Sequence, residues 1–83
     1  MQNNEIELIQ HIEKIHTTEL GVERIKKNLK LDTDDVVRVC KELVLDQDAQ
    51  IERKGKNWYV TVEDKVITIN AYSYTIITAH LKK

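Results

Sequence analysis

Apolar positions change their spacing near the middle of the chain. In the first half they recur every three or four residues, as in Ile6, Ile9 and Ile12, which is typical of amphipathic helices. From Ala49 onward, short runs rich in β-branched and aromatic residues alternate with polar positions, which is typical of strands. The pattern therefore predicts helices first and a sheet afterwards.

Three helices are expected in the first half. The first runs from about Asn4 to about Lys14, and Thr18 is expected to cap a second helix that continues to about Leu29.

A third helix is expected after the acidic stretch "DTDD", where Asp32 or Thr33 is the expected cap. Asp34 and Asp35 then lie in the first turn, where carboxylates favour the helix dipole. The buried face of this helix is expected to comprise Val36, Val37, Cys40, Leu43 and Val44.

Four strands are expected in the segments "IERK", "NWYVTV", "VITINA" and "YTIITAHL". The connections at 55–56, 63–65 and 72–73 are too short for crossovers, so neighbouring strands should pair antiparallel. The predicted fold class is α+β, with two to three N-terminal helices packed on one face of a four-stranded antiparallel β-meander.

Alternation along the strands assigns side chains to the two faces of the sheet. The face under the helices is expected to hold Trp58, Val60, Val62, Ile67, Ile69, Ile77, Ala79 and Leu81. The open face is expected to hold Tyr59, Thr61, Thr68, Asn70, Tyr74, Ile76, Thr78 and His80. If the turn consists of the two residues Asp64 and Lys65, Thr61 lies opposite Thr68. The same register sets Tyr59 opposite Asn70.

Composition predicts one globular domain over residues 1–83, with a helical part at 1–47 and a sheet part at 49–83. The chain has 83 residues, of which 41% are apolar and 33% are charged. No apolar run is long enough to span a bilayer, and "MQNNEIELIQ" lacks the basic and apolar regions of a signal peptide. With Cys40 as the single cysteine, this indicates a reducing, cytoplasmic site of action. Export as part of a larger toxin stays open.

Charge is distributed unevenly along the chain. Residues 1–50 hold 7 Lys/Arg and 11 Asp/Glu, a net charge of −4, whereas residues 51–83 hold 6 and 3, a net charge of +3. The basic second half suggests contact with a polyanion, although such an excess is also common on an ordinary solvated surface.

Hydrogen-bonding side chains replace the usual Lys/Glu mixture on the expected open face. Tyr59 and Tyr74 could stack on nucleobases, and Arg53, Lys54 and Lys56 could bind phosphates. The alternative is that threonine and tyrosine occur there only because they favour strands.

His80 is the candidate for proton transfer, because histidine is the side chain that most readily exchanges a proton near neutral pH. RNA cleavage without metal needs an acid, a base and cations at the phosphate. The expected catalytic residues are His80, Lys54, Tyr59 and Thr78. The expected substrate-binding residues are Arg53, Lys56, Thr61, Thr68, Asn70 and Tyr74. The alternative is that His80 merely ends an edge strand.

Neither a metal nor a cofactor is expected. The three histidines and Cys40 lack the close spacing of a metal site, and neither a Walker loop nor a dinucleotide-binding glycine motif occurs. Cys40 falls within an apolar helical stripe and is expected to be a small buried hydrophobe.

Two stretches, "HTTELGVERIKKNLKLD" and "ERKGKNWYVT…ITINAYSYTIITAH", carry a resemblance to a known family. They resemble a family of short bacterial proteins catalogued as domain of unknown function 3781, over about Leu8 to Lys82. This resemblance implies no activity and no functional residues.

The expected architecture resembles the barnase–EndoU–colicin–RelE group of metal-independent ribonucleases, and "YTIITAHLKK" is similar to their last strand. This resemblance implies a small toxin-like ribonuclease that acts on RNA, with an immunity or antitoxin protein as partner. The alternative hypothesis is a non-catalytic interaction module that binds nucleic acid or a protein partner through the same face. An exposed edge strand also leaves homodimerisation open.

Overall fold

Three helices precede four strands, as the hydrophobic pattern predicts. The computed structural model describes residues 4–82, with side chains from residue 7 onward. The helices are α1 (Asn4–Gln10), α2 (Glu19–Leu29) and α3 (Val36–Val44). The strands are β1 (Gln50–Lys54), β2 (Asn57–Val62), β3 (Lys65–Asn70) and β4 (Ile76–Leu81). Among the helices in the described part of the chain, none has the length and hydropathy of a membrane-spanning segment.

The first helix is shorter than predicted. It ends at Gln10, and a single 3₁₀ turn, Ile12–Lys14, follows it. Leu8 is fully buried, whereas Ile9 is exposed, so three-residue spacing does not describe the buried stripe. The side chain of Ile6 lies outside the described residues.

Thr18 caps α2 as predicted. Its side-chain oxygen accepts a hydrogen bond from the amide of Gly21 at 3.0 Å. At the other end, Lys30 adopts a left-handed φ of 57°, and the amide of Leu31 bonds to the carbonyl of Lys26 at 2.9 Å. This is the Schellman closure, which usually has glycine in the left-handed position.

The third helix begins later than predicted. Asp35 precedes its first residue, Val36, and makes no side-chain capping bond. The hydroxyl of Thr33 accepts a bond from the amide of Asp35 at 3.1 Å, and Asp34 pairs with Lys26 of α2 at 2.7 Å. These two contacts hold the acidic stretch in a turn, so Asp34 and Asp35 lie before the helix and not in its first turn.

The strands form one antiparallel sheet in the order β1-β2-β3-β4, so the predicted α+β meander is confirmed. The predicted register of β2 against β3 is wrong by two residues. The turn occupies Glu63 and Asp64, and Tyr59 lies opposite Thr68. Because the error is an even number of residues, each side chain keeps its predicted face.

Apolar residues from all three helices and all four strands form one core on a single face of the sheet. Helix α1 contacts β1, α3 contacts β2, and α2 contacts β4, so the helices cover that face across its width. The helical part of the core comprises Leu8, Ile15, Ile25, Leu29, Val36, Cys40 and Val44. The sheet contributes Ile51, Trp58, Val60, Ile67, Ile69, Ile76 and Ala79.

A bulge interrupts the alternation of β4. Ile76 pairs with Ile69, but Thr78 pairs with Thr68, which leaves Ile77 as the extra residue. Ile76 is consequently buried, and Ile77 is 53% exposed. The predictions that put Ile76 on the open face and Ile77 in the core are wrong, because the extra residue reverses the parity of the positions before it.

Cys40 is fully buried in α3, as predicted, and this burial raises the pKa of its thiol from about 9 to about 12. Stability should fall as the pH rises from about 9 to about 12, because over this range the unfolded chain releases the thiol proton and the folded chain keeps it. The expected loss is about 1.4 kcal/mol per pH unit. We expect Cys40→Ala to show a shallower loss in urea unfolding at each pH. Equal slopes in the two proteins would contradict this assignment.

Replacing Lys30 by glycine should stabilise the protein by about 1 kcal/mol, because glycine adopts the left-handed conformation without a clash at Cβ. The matched control is Lys27→Gly inside α2. It should destabilise the protein by about 1 kcal/mol, because glycine loses more backbone entropy than lysine when it is fixed in a helix. Urea denaturation measures both variants. A loss of stability in Lys30→Gly would contradict the assignment of the Schellman closure.

Candidate functional site

The face of the sheet that the helices leave uncovered, the open face, presents rows of side chains. One row comprises Glu52, Tyr59, Thr68 and Thr78, and the next comprises Gln50, Thr61, Val66 and His80. Thr68 is buried although it lies on this face, because Tyr59 and Thr78 flank it on the neighbouring strands. Glu52 is the single charged residue of the first row, so that row offers no cation to a phosphate.

The predicted catalytic residues separate into two groups. Tyr59 and Thr78 lie near the middle of the open face, and His80 follows Thr78 by two positions on β4. Lys54 lies at the opposite corner of the sheet from His80, on β1. Strand spacing and rise per residue put the Cα atoms of Lys54 and His80 about 19 Å apart. The structure therefore does not bring Lys54 and His80 to one phosphate.

Tyr74 does not lie on the open face, where it was predicted. It belongs to the β3–β4 loop, is only 8% exposed and has a φ of 62°. Its ring centre lies 5.2 Å from that of Trp58 and 5.8 Å from that of His11. Burial is the main cause that raises the pKa of its hydroxyl, and the nearby negative charge of Glu7 raises this pKa further. The prediction was wrong because β4 begins at Ile76 and not at Tyr74.

The side chain of Asn70 organises the β3–β4 loop. Its Oδ1 accepts bonds from the amides of Tyr72 and Ser73, both at 2.9 Å, and from the hydroxyl of Ser73 at 3.2 Å. Its main chain also bonds to Tyr74 and Thr75. The amide oxygen of this predicted substrate-binding residue is thus occupied inside the loop.

Arg53 connects the core to an exposed ring. Its guanidinium carbon lies 5.6 Å from the ring centre of buried Trp58 and 5.7 Å from that of Tyr72. Its Nε also donates to the carbonyl of Gly55 at 3.0 Å. Tyr72 is 70% exposed, so Arg53 supports this ring from the protein side.

Two loops meet at the same end of the sheet. The amide of Ala71 donates to the carbonyl of Lys56 at 2.7 Å, which joins the β1–β2 turn to the β3–β4 loop. Lys54 and Lys56 are exposed, and neither forms an ion pair within residues 7–82. Arg53, Lys54, Lys56 and Tyr72 together are called the basic corner below.

Sequence reasoning missed Tyr72, which it assigned only to a turn. A large aromatic residue within a short polar loop, next to Ser73, is the signal that could have identified it. Arg53, Lys54 and Lys56 were predicted to bind phosphate, and they do lie at one end of the sheet.

Charged groups outside the basic corner form local ion pairs or lie too far apart to make a site. Lys65 pairs with Glu63 at 3.3 Å and with Asp64 at 3.2 Å. The hydrogen bond from Lys65 lowers the pKa of Asp64, and the same bond raises the pKa of Lys65. Across the residues that the structure describes, no group of three or more His, Cys, Asp or Glu side chains could hold a metal ion.

The comparisons with known proteins identify a family but no activity. A family model described as "Protein of unknown function (DUF3781)" matches residues 9–80, which confirms the first of the two resemblances. No curated protein and no solved structure matches the chain. The resemblance to ribonuclease toxins therefore stays a prediction.

Replacing Asn70 by alanine should lower the free energy of unfolding by about 1–3 kcal/mol, because the amides of Tyr72 and Ser73 lose their acceptor. Hydrogen exchange at these two amides should also become faster. Asn70→Asp keeps an oxygen acceptor and serves as the control. Urea denaturation and amide exchange measured by NMR provide the two readouts, and unchanged exchange in Asn70→Ala would refute this role.

Proposed function

This chain belongs to the DUF3781 family, whose description assigns no activity, and we propose that it is a non-catalytic module that binds single-stranded RNA through the basic corner. One observation carries the proposal. The exposed ring of Tyr72 lies against Arg53, at the end of the sheet where the loop of Tyr72 is hydrogen-bonded to the turn that carries Lys56, and Lys54 ends the strand that leads into this turn. A reducing cytoplasm is the compartment that we propose for it.

The ring of Tyr72 suits a nucleobase because one of its faces is supported and most of the side chain is exposed. The bonds that Asn70 accepts fix the loop around it, so binding needs little further ordering. Stacking of one base on an aromatic side chain contributes about 1–3 kcal/mol and tolerates any base. A single-stranded ligand follows, because a duplex keeps its bases stacked on one another.

Lys54 and Lys56 suit the phosphates that flank a stacked base. Both are exposed and without a carboxylate partner in the described residues. Glu52 lies two residues before Lys54 on the same face and repels phosphate, which confines the charged contacts to the corner.

Neutral groups on the adjacent open face suit the sugar. Asn57 pairs with Lys54 in the sheet, and its buried Oδ1 has no hydrogen-bond partner among the described residues. A buried acceptor left without a donor costs about 1–3 kcal/mol. If the Asn57 side chain rotates outward on binding, a ribose hydroxyl can donate to its Oδ1 and remove this cost, and this contact favours RNA over DNA.

The ribonuclease hypothesis has less support from the geometry. It needs an acid or base and a cation at the same phosphate, whereas His80 and Lys54 lie about 19 Å apart. For this reason we propose binding without cleavage, and an immunity or antitoxin partner is not part of the proposal.

Fluorescence anisotropy with a short labelled oligouridylate tests the phosphate contacts. Three contacts to single-stranded RNA predict that log K falls with log salt at a slope of about −2, and Lys54→Ala/Lys56→Ala should reduce the slope to about −0.7. Lys27→Ala/Lys41→Ala removes the same two positive charges from helices α2 and α3 and should leave binding unchanged. A slope that the double variant does not alter would refute the proposal.

The same titration tests the stacking contact. Tyr72→Ala should weaken binding by about fivefold or more, whereas Tyr72→Phe keeps the ring and should bind like the wild type. His80→Ala should bind as tightly as the wild type. Neither His80→Ala nor the wild type should cleave the oligonucleotide. Cleavage by the wild type that is lost in His80→Ala would favour the ribonuclease instead.

A further inference from the structure

A groove runs between α2 and β4, at the opposite edge of the sheet from Lys54. Its volume is about 280 Å³, near the lower end of ligand-binding pockets, so it accommodates one or two side chains and not a large cofactor. Gly21 and the buried side chains of Ile25, Ile76 and Ala79 also line it.

Two large apolar side chains lie exposed along this groove. Leu20 of α2 is 64% exposed, and Ile77 of β4 is 53% exposed because the bulge turns it out of the core. Covering both would remove apolar surface from water, which favours association. The groove therefore has a driving force for binding an apolar side chain.

Arg24 is the single charged residue among those that line the groove. It forms no ion pair with any other residue in the described part of the chain. Asn28 lies one turn further along α2 and lines the same groove, where its amide can bond to a peptide backbone. The charge complementary to this groove is a carboxylate.

We propose that the groove binds a short segment of a partner protein in which an apolar side chain lies next to an acidic one. The apolar side chain lies between Leu20 and Ile77, and the carboxylate pairs with Arg24. A nucleic acid is the less suitable occupant, because no aromatic side chain lines the groove. This proposal is independent of RNA binding, since none of these residues belongs to the basic corner.

The test uses three labelled synthetic peptides of equal length, built from leucine and aspartate, from leucine and lysine, and from serine and aspartate. Anisotropy at physiological salt should show binding of the first peptide, with the other two weaker by about tenfold. Arg24→Glu and Leu20→Ser should each weaken the first peptide by about tenfold. Both positions are exposed, so circular dichroism should show that the variants fold normally.

Two controls distinguish the groove from general charge effects. Arg38→Glu reverses a charge on α3, outside the groove, and should leave peptide affinity unchanged. Arg24→Lys keeps the charge and should retain most of the affinity. Equal binding of the acidic and basic peptides, or an unchanged affinity in Arg24→Glu or Leu20→Ser, would overturn the proposal. Weaker binding of the oligouridylate by Arg24→Glu would also overturn it, because a nucleic acid would then occupy the groove. Self-association in sedimentation that Leu20→Ser abolishes would overturn it as well, because a second copy of the chain would then occupy the groove.

Discussion

The packing of the Tyr74 ring against Trp58 is the contact on which the basic corner depends. Tyr74 makes this contact with a left-handed backbone, which bulky residues seldom adopt. Bonds on both sides hold it there. Asn70 accepts from the Tyr74 amide, and the carbonyl of Tyr74 accepts from the amide of His16. With Tyr74 directed inward, the loop has a fixed path on which Tyr72 lies outside and within reach of Arg53.

The same loop determines how β4 begins. The carbonyl of Thr75 accepts from the amide of Asn70, and Ile76 follows in the core opposite Ile69. Thr78 already lies opposite Thr68, so one residue remains between the two pairs and protrudes from the sheet. This protruding residue is Ile77, and its exposed side chain lines the groove beside α2. Both proposed sites thus depend on the path of a single loop, although they share no residue.

Most of the fold follows from periodicity in the sequence. The change from helical to strand spacing predicted the order of the elements, and alternation in "NWYVTV" correctly placed Trp58 and Val60 in the core. The error in the β2–β3 register left the assignment of side chains to the two faces correct, because a shift of two residues returns each side chain to the same face. The bulge at Ile77 made the assignment wrong for Ile76 and Ile77, because a shift of one residue exchanges the two faces. Neither local pattern nor propensity indicates where an extra residue will be placed.

The candidate site was predictable only in part, for a related reason. Arg53, Lys54 and Lys56 are close in sequence and share one hairpin, so their proximity needed no tertiary information. Tyr72 joins them through the bond between Ala71 and Lys56, a contact between loops that the sequence does not reveal. The burial of Tyr74 was likewise hidden, since it requires a backbone conformation that tyrosine does not usually favour.

NMR chemical-shift mapping of the wild-type protein with a short oligouridylate locates the RNA-binding surface directly. We expect the largest shifts on residues 53–57 and 71–73, where the two loops meet, with small changes at Thr78 and His80. Shifts concentrated at Thr78 and His80, with the two loops unaffected, would contradict this expectation.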